Sequence, residues 1–587
     1  MKILIVVPTF NYSIRYPTSY SISDFPVGLA YIASSLKFAG FQVFGLNPNN
    51  DSSFPSANLM LRSKIENKIN EIHPDIICTG GICTDYAFLK DAINFFREFS
   101  PKTPVVLGGG IVTHDRDFIF THLKPDFCVS GEAEETLVHL VNAIHQGSID
   151  FEEIPNIGYW SSSNPKYTKL DFSFYNWNIR PFPDYEPFDI DLMLDQYSRA
   201  TRNLYRYTRS NPRPFTIVTG RGCPFSCTFC VHNNEIKYRA RLIKDVLEEI
   251  KILHERYHFN ILIIMDELFA ANKTRLNEFS DGVLLGKKIY GWDFDWTFQT
   301  HASANFDKTC LELAKSAGCF FFSYGLESAS PKILESMNKR TKPAQFIEAI
   351  NLSESAKIGF GGNFIFGDVA ETSVTVKETM TFFNKYCKNI HVFFASIHPY
   401  PGSQLFEHCI KNGIISDKIV YYETQLNNYV FNMTRFPDSI WLAWTTFLRL
   451  LGNSFLWSTF VEPTAYSRIE EPECVQIERS TGTALYEIEA QCPFCNLKSS
   501  FREFYGEEKI KYTSSILSKF RWKIRSSEWF FPLVMFILRN TFKLHPLFKT
   551  LVPITETRRY RFPNFITGCP SCNKRFFVKF PAGMTNK

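Results

Sequence analysis

Short apolar runs alternate with segments of helical spacing over the first 150 residues. The run ILIVV (3–7) is continuously apolar, which is typical of a parallel strand buried on both faces. In VGLAYIASSLKFAG (27–40) the apolar residues recur at helical spacing, and Gly40 marks the end of a helix. Further apolar runs follow at 75–81, 105–110 and 127–131, with helical segments around 86–99 and 134–144. The pattern predicts a doubly wound α/β sheet over about 1–150.

Glycines stand at the carboxyl ends of two predicted strands of this sheet. Gly80 and Gly81 end the apolar run at 75–81, and Gly108, Gly109 and Gly110 end the run at 105–110. Ligands of doubly wound sheets bind beyond the carboxyl ends of the strands. Residues without a Cβ let a large planar or phosphate-bearing ligand lie against the backbone. The same glycines would also suit ordinary tight turns, and the spacing alone does not separate the two interpretations.

A second series of strands and amphipathic helices is predicted over 212–430, after a connector over 151–211. The candidate strands cover 215–220, 261–268, 296–302, 319–328, 361–368 and 391–402. In repeated βα units the active site gathers at the carboxyl ends of the strands. Polar residues of this chain fall at those ends.

Cysteine spacing gives the strongest chemical signal. Seven of the fifteen cysteines stand in three tight groups: Cys223, Cys227 and Cys230; Cys492 and Cys495; Cys569 and Cys572. Tight groups in a long chain indicate metal ligation in a reducing cytoplasm rather than a disulfide framework. Three thiolates in the spacing C-x3-C-x2-C can hold three irons of a [4Fe–4S] cubane and leave the fourth open. The alternative, structural zinc, needs a fourth ligand, for which His232 is the local candidate.

The motifs around these cysteines resemble a known superfamily. FTIVTGRGCPFSCTFC (215–230) is similar to the cluster motif of the radical S-adenosylmethionine (SAM) superfamily. FPVGLAYIASSLKFAGFQV, VVLGGGIVTH and PDFCVSGEAEETL resemble the cobalamin-binding domain that precedes many radical SAM domains. The resemblance implies a partial (β/α)6 barrel and three cofactors: a [4Fe–4S] cluster, SAM and cobalamin. The Asp-x-His-x-x-Gly motif does not occur, so cobalamin would lack that axial histidine.

The resemblance also implies roles for single residues. Phe229 would pack near the adenine of SAM, and Glu327 would bind the ribose hydroxyls. Asp266 and Glu267 occupy the place where the superfamily binds the SAM amino group. Arg239 and Arg241 correspond to basic residues that follow the cluster motif in cobalamin-type members of the superfamily, and they would face a carboxylate. The glycines Gly80, Gly81, Gly108, Gly109 and Gly110 would lie along the nucleotide tail of cobalamin.

The C-terminal part of the chain is basic and contains two near copies of one motif. From residue 496 onward there are 18 Lys and Arg against 5 Asp and Glu. QCPFCNLKSSF and GCPSCNKRFFVKF each predict a zinc knuckle, so Cys492, Cys495, Cys569 and Cys572 would share one zinc ion. We expect a helical extension over 431–490 and then a zinc-ribbon-like tail over 491–587, with a helical insertion at 506–562. The pattern of the insertion favours a helical subdomain packed on the rest of the protein. Contact with an anionic membrane surface is one alternative, and nucleic-acid binding is another.

Together these features predict an enzyme that cleaves SAM reductively and methylates an unactivated carbon. Methylcobalamin would deliver the methyl group to a small-molecule or lipid-like substrate. An electron donor such as flavodoxin or ferredoxin would reduce the cluster. Ring-forming and rearranging enzymes share the architecture, and a non-catalytic cobalamin or cluster sensor is an alternative of another class. A methylthiotransferase would need three further cluster cysteines, for which Cys78, Cys83 and Cys128 are the candidates.

Overall fold

The computed structural model shows two α/β domains followed by a small β-rich tail. It describes residues 1–9, 25–50, 57–171, 181–195, 212–231, 238–426, 431–448, 459–470, 483–506 and 567–578, apart from a few single positions, together with Tyr12 and Arg209. Both α/β domains contain parallel sheets, as the alternating pattern predicts.

The N-terminal domain is built on a seven-stranded sheet in the order β2-β1-β3-β4-β5-β6-β7. Its strands are β1 (Lys2–Val6), β2 (Gln42–Leu46), β3 (Ile76–Gly80), β4 (Val105–Gly108), β5 (Phe127–Val129), β6 (Ile157–Ser161) and β7 (Asn164–Tyr167). The first five strands run parallel, and β6 and β7 add an antiparallel hairpin from the predicted connector. The doubly wound prediction is confirmed, and the sheet extends beyond residue 150.

Helices cover both faces of this sheet because alternate residues of its strands are apolar on each side. They are α1 (Val27–Phe38), α2 (Ala57–Ile72), α3 (Tyr86–Phe99), α4 (Gly110–Leu123) and α5 (Thr136–His145). Ile3 and Ile5 belong to one core with residues of α1 and α5. Leu4 and Val6 belong to a second core with residues of α2, α3 and α4. Strand periodicity therefore places each group of helices on its own face.

The central domain is an open six-stranded parallel sheet in the order β15-β14-β13-β12-β11-β8. Its strands are β8 (Pro214–Ile217), β11 (Ile261–Ile264), β12 (Asp295–Thr300), β13 (Cys319–Glu327), β14 (Phe360–Phe366) and β15 (His391–Ser396). A two-stranded antiparallel ribbon, β9 (Gly220–Arg221) with β10 (Arg239–Ala240), lies between the first two of them in sequence. Because β8 and β15 are the two edges, the barrel is partial, as predicted.

Most helices of this domain pack on one side of the sheet, whereas its helix Gln404–Lys411 belongs to the core formed with α2, α3 and α4. Preceded by α6 (Ile190–Asp195), the helices of the domain are α7 (Ile243–Tyr257), α8 (Lys273–Tyr290), α9 (Lys308–Ser316), α10 (Pro331–Ser336), α11 (Pro343–Ser355), α12 (Ser373–Phe382), α13 (Gln404–Lys411) and α14 (Lys418–Val420). Short 3-10 turns cover Pro48–Asn50, Cys83–Asp85 and Glu186–Phe188, and π-helical turns cover Phe383–Cys387 and Tyr421–Gln425. Strand residues such as Phe298, Tyr324 and Phe366 face the helices in one core. Their neighbours Gln299, Asn363 and Phe393 face the other side and are exposed.

The tail consists of two small sheets. One contains β16 (Thr459–Val461), β20 (Thr567–Gly568) and β21 (Arg575–Val578), and the other contains β17 (Pro463–Arg468), β18 (Thr483–Gln491) and β19 (Lys498–Gly506). The helical extension predicted over 431–490 is therefore wrong where β16, β17 and β18 lie. In β18 the alternation of exposed Glu487 and Glu489 with buried Ile488 and Ala490 has the period of a strand. The predicted insertion lies outside the described residues, except for its first position.

Candidate active site

Residues 222–231, which we call the cysteine loop, carry three thiols that interact with one another. The Cys227 and Cys230 side chains are hydrogen-bonded, and Cys223 interacts electrostatically with Cys227. Burial raises the pKa of Cys223, and the hydrogen bond with Cys227 together with burial raises that of Cys230. Buried thiols become thiolate ligands when a positive charge compensates them, and cluster iron supplies that charge. The three residues fit a [4Fe–4S] cluster with one open iron.

The cysteine loop is held by the segment that follows α10. Asn338 adopts a left-handed backbone (φ 51°), and its side-chain amide donates to both the carbonyl and the hydroxyl of Ser226 at 2.9 Å. The Thr228 amide donates to the Met337 carbonyl at 3.0 Å. Backbone and side-chain bonds therefore fix the loop from the neighbouring βα unit.

The next residue, Lys339, brings a buried cation to the thiols. Its Nζ lies 3.2 Å from Oε1 of Glu327, and the two side chains are only 7% and 13% exposed. Burial alone would lower the pKa of Lys339, but Glu327 and the thiols of Cys227 and Cys230 raise it above its ordinary value. Glu327 ends β13 with φ 60°, so a strained backbone holds it at this place. The sequence analysis missed Lys339, although it stands only 12 positions after Glu327 in the chain.

The two adjacent carboxylates after β11 have different surroundings. Asp266 is buried, and its oxygens accept hydrogen bonds from the Thr219 amide (2.6 Å) and the Thr219 hydroxyl (2.5 Å). Burial raises the pKa of Asp266 to about 6, although the hydrogen bonds from Thr219 lower it. Glu267 is exposed and interacts electrostatically with Cys223. Asp266 thus braces the entry to the cysteine loop, and Glu267 is the carboxylate available for the predicted contact with the SAM amino group.

The predicted aromatic and basic residues are also placed near the loop. Phe229 is partly buried against the core that the two α/β domains share, and its contact with adenine stays a prediction. Arg239 pairs with Glu132 of the N-terminal domain. Arg241 is buried and pairs with Glu249 at 2.6 Å. Both arginines face carboxylates of the protein itself, and the burial of Arg241 leaves almost no guanidinium surface for a cofactor.

A histidine at the end of β12 packs on the cysteine loop. The ring of His301 stacks on Phe225 with centroids 4.0 Å apart. Burial, followed by the charge of Lys339, lowers the pKa of His301 to about 4, so the ring is neutral at physiological pH. Nδ1 of His301 lies 2.7 Å from the Ser303 hydroxyl and 3.3 Å from the Ser303 amide nitrogen. No pattern in the sequence pointed to His301 as a second residue of this site.

The glycine edge of the N-terminal sheet is formed by two loops that touch through their backbones. A Cβ at Gly80 would lie 2.7 Å from the Gly108 carbonyl oxygen, and one at Gly109 (φ 86°) would lie 2.6 Å from the Gly81 carbonyl oxygen. The glycines therefore permit the close approach of the loops, and Gly110 begins α4 beside them. Gly80 is buried, whereas Gly81, Gly108, Gly109 and Gly110 are half-buried at this edge; the contact with cobalamin stays a prediction.

Position also decides the roles of a histidine and of three cysteines in the N-terminal domain. His114 packs against Gly402, where a Cβ would lie 2.6 Å from the ring. Cys78 and Cys128 belong to the cores on opposite faces of the N-terminal sheet. Together with Cys83 they cannot hold one further cluster, which argues against the methylthiotransferase alternative.

The four tail cysteines converge on one point although Cys495 and Cys569 are 74 positions apart. The Sγ atoms of Cys492 and Cys572 are 3.6 Å apart, those of Cys495 and Cys569 are 3.4 Å apart, and all four lie within 4.8 Å. A tetrahedron with Zn–S bonds of about 2.3 Å has edges of about 3.8 Å. The structure brings the two knuckles together as the sequence predicts, and the spacing of their four thiols fits a zinc ion.

The metal site of the tail lies away from the cysteine loop. Lys315, near the end of α9, donates to the Ser571 carbonyl at 3.3 Å, and Glu354, near the end of α11, lies 3.5 Å from Lys574. These helix ends lead into the amino ends of β13 and β14, whereas the cluster thiols lie at the carboxyl ends. The zinc site is therefore structural and anchors the tail on the far side of the sheet.

We expect that Cys492→Ser and Cys569→Ser each remove about one zinc ion per chain, because a tetrahedral site needs thiolates from both knuckles. Metal analysis of the purified variants measures this directly. The cluster iron should be retained in both. Loss of zinc in only one of the two variants would contradict a shared metal.

Comparison with protein families agrees with this geometry. Residues 217–383 match the radical SAM superfamily, and residues 24–141 match the B12 binding domain. The first range carries the three cysteines, Glu327 and Lys339, and the second contains the glycine edge. The chain therefore contains a radical SAM domain with a B12-binding domain in front of it. These two domains imply a [4Fe–4S] cluster and SAM in the central domain and cobalamin in the N-terminal one.

Individual relatives extend over both domains. An uncharacterized methyltransferase of Pyrococcus horikoshii is 28% identical over 425 residues, which are 71% of this chain and 84% of the relative. The anaerobic magnesium-protoporphyrin IX monomethyl ester cyclase of Rubrivivax gelatinosus is 26% identical over 71% of this chain and 70% of the relative. The radical SAM methyltransferase TsrM of Kitasatospora setae, solved with cobalamin and a [4Fe–4S] cluster, shares the fold (TM-score 0.53, 17% identity, 70% of this chain and 75% of that one). Within the described residues, the helices are too short or too polar to cross a membrane.

Proposed function

We propose that this enzyme transfers a methyl group to an unactivated carbon of a small-molecule substrate. A [4Fe–4S] cluster held by Cys223, Cys227 and Cys230 would supply the electron that splits the C5′–S bond of SAM into methionine and the 5′-deoxyadenosyl radical. That radical would take a hydrogen atom from the substrate carbon and become 5′-deoxyadenosine. Cobalamin held by the N-terminal domain would supply the methyl group to the substrate radical, and one further electron and a second SAM, which becomes S-adenosylhomocysteine, would restore that methyl group. The observation that carries the proposal is that Glu327, Lys339 and Glu267 interact electrostatically with the cluster thiols.

The residues around the thiols suit the binding of SAM. The ammonium group of Lys339 lies near Cys227 and Cys230, where the carboxylate of SAM would reach the open iron. Glu267 lies near Cys223 on the side where an amino group would need a carboxylate. A sensor without turnover would not need this set of charges. The electron must come from a one-electron donor of the flavodoxin or ferredoxin class, which the proposal includes.

The test is product analysis after anaerobic reconstitution. The enzyme is incubated with SAM carrying a deuterated methyl group, a reductant and a metabolite pool from cell extract. We expect 5′-deoxyadenosine together with one product that carries the label and is heavier by one methyl substitution. The absence of 5′-deoxyadenosine would overturn the assignment as an active radical SAM enzyme.

Ring formation is the second candidate, because the Rubrivivax relative is a cyclase and is similar over 71% of this chain. The same incubation separates the two. A cyclase would form 5′-deoxyadenosine and a product without the deuterated methyl group. Transfer of the label into the product excludes cyclisation as the main reaction.

We further predict that the purified protein binds about one hydroxocobalamin per chain without a histidine on cobalt. The glycine edge offers the surface, and His114, which follows it in sequence, is occupied by packing against Gly402. Electron paramagnetic resonance of the cob(II)alamin form measures the axial ligand. Nitrogen hyperfine splitting from a histidine would contradict the ligand prediction, and absence of binding would remove methyl transfer from the proposal.

A further inference from the structure

Two arginines face each other at the base of the segment that carries the cluster cysteines. The ribbon of β9 and β10 pairs Arg221 with Arg239 directly across its two strands and brings together the ends of the segment 222–238. We call this pair of strands the neck. Like charges directly opposite each other destabilise a strand pair. The neck therefore needs negative charge from elsewhere to remain closed.

That charge comes from the N-terminal domain. Glu132 and Glu134 follow β5 at the carboxyl edge of its sheet, the edge where cobalamin is expected. Arg221 Nη1 lies 3.3 Å from Oε1 of Glu132, and its Nη2 lies 2.5 Å from Oε1 of Glu134. Arg239 also pairs with Glu132. Glu132 thus contacts both facing arginines, and Glu134 is only 4% exposed.

The surroundings of Arg221 and Arg239 strengthen their ion pairs with Glu132 and Glu134. The guanidinium of Arg221 lies over the ring of Tyr31, 5.2 Å from its centroid, and Tyr31 belongs to α1 of the N-terminal domain. The side chains of Arg221 and Arg239 are 18% and 20% exposed, so water screens the charges only partly. Two carboxylates against two guanidiniums leave the group neutral, which is the condition for burying it at a domain interface.

We propose that Glu132 and Glu134 are positioning residues that keep the neck of the cysteine loop closed. In this way they would fix the cluster relative to the glycine edge of the N-terminal sheet. The chemistry rests on the proposed function, in which a radical made at the cluster and a methyl group carried at the other domain must reach the same carbon. A displacement of about 1 Å is enough to lower the rate of such a reaction severely. The acidic pair supplies the rigid link that this geometry requires.

The experiment uses the reconstituted holoenzyme with Glu132→Gln and Glu134→Gln combined, which keeps the side-chain shape and removes both charges. Iron release to EDTA is followed at a temperature at which circular dichroism shows every variant folded. We expect iron to be released about tenfold faster than from the wild type, the change that accompanies loss of a charge-assisted contact. Glu152→Gln, which removes the exposed pair with Lys166 in the same domain, should leave the rate unchanged.

A rescue variant separates positioning from a general loss of stability. Adding Arg239→Gln to the double variant removes the facing charge, so the neck should close again and iron release should return to within about twofold of the wild-type rate. In the double variant, the magnetic interaction between cob(II)alamin and the reduced cluster should also change, and the rescue should restore it. An unchanged release rate in the double variant, or a triple variant that loses iron as fast, would overturn the proposal. Because these readouts need no substrate, failure of methyl transfer in the wild type would not affect them.

Discussion

Replacement of any one of Cys223, Cys227 and Cys230 by alanine is expected to reduce bound iron from about four per chain to background and to abolish 5′-deoxyadenosine formation. Cys227 is hydrogen-bonded to Cys230 and interacts electrostatically with Cys223, and the four thiols that the described residues bring together elsewhere are at the tail, on the far side of the sheet. Among the described residues, those tail thiols are therefore too far away to replace a missing cluster ligand. Iron analysis and chromatography of the nucleoside product after anaerobic reconstitution measure both effects.

The matched control for this prediction is Cys310→Ala. Cys310 is buried at the start of α9 and belongs to the hydrophobic core of the central domain. The variant should keep its iron and its SAM cleavage, with a loss of stability of about 1 kcal/mol from the missing sulfur atom. A cysteine-loop variant that cleaves SAM at the wild-type rate would show that the cluster is held elsewhere.

The sequence predicted those features that depend on neighbouring residues. Alternating apolar runs and helical spacing were sufficient for both parallel sheets, because a buried strand and an amphipathic helix each leave a local pattern. The C-x3-C-x2-C spacing identified the cluster ligands for the same reason. Even the tail site could be predicted across 74 positions, since each knuckle contains two of the four ligands and is recognisable alone.

Contacts between distant segments could not be predicted in this way. Lys339 stands in a polar stretch after α10 and has the sequence context of a surface lysine; only the packing of that stretch on the cysteine loop buries it. Asp266 and Glu267 are adjacent in sequence, and their different roles follow from which of the two side chains meets Thr219. The carboxylates that face Arg239 and Arg241 come from another domain and from α7, where no local pattern points to them.

The second large effect is expected for Lys339→Met, which keeps the length of the side chain and removes its charge. The variant leaves Glu327 in a buried site without its cation, and breaking a buried ion pair costs about 3–5 kcal/mol. It also removes the ammonium group that interacts with the cluster thiols and that the proposed function assigns to the carboxylate of SAM.

We therefore expect the affinity of Lys339→Met for SAM to fall about a hundredfold, which corresponds to about 2.7 kcal/mol. The measurement is equilibrium binding of SAM to the oxidised, reconstituted enzyme, which cannot turn over. Lys332→Met, on the exposed face of α10, is the matched control and should bind SAM normally. Combining Lys339→Met with Glu327→Leu removes the unpaired carboxylate, so the double variant should regain stability against thermal unfolding. Wild-type affinity for SAM in the single variant Lys339→Met would exclude Lys339 from the SAM site.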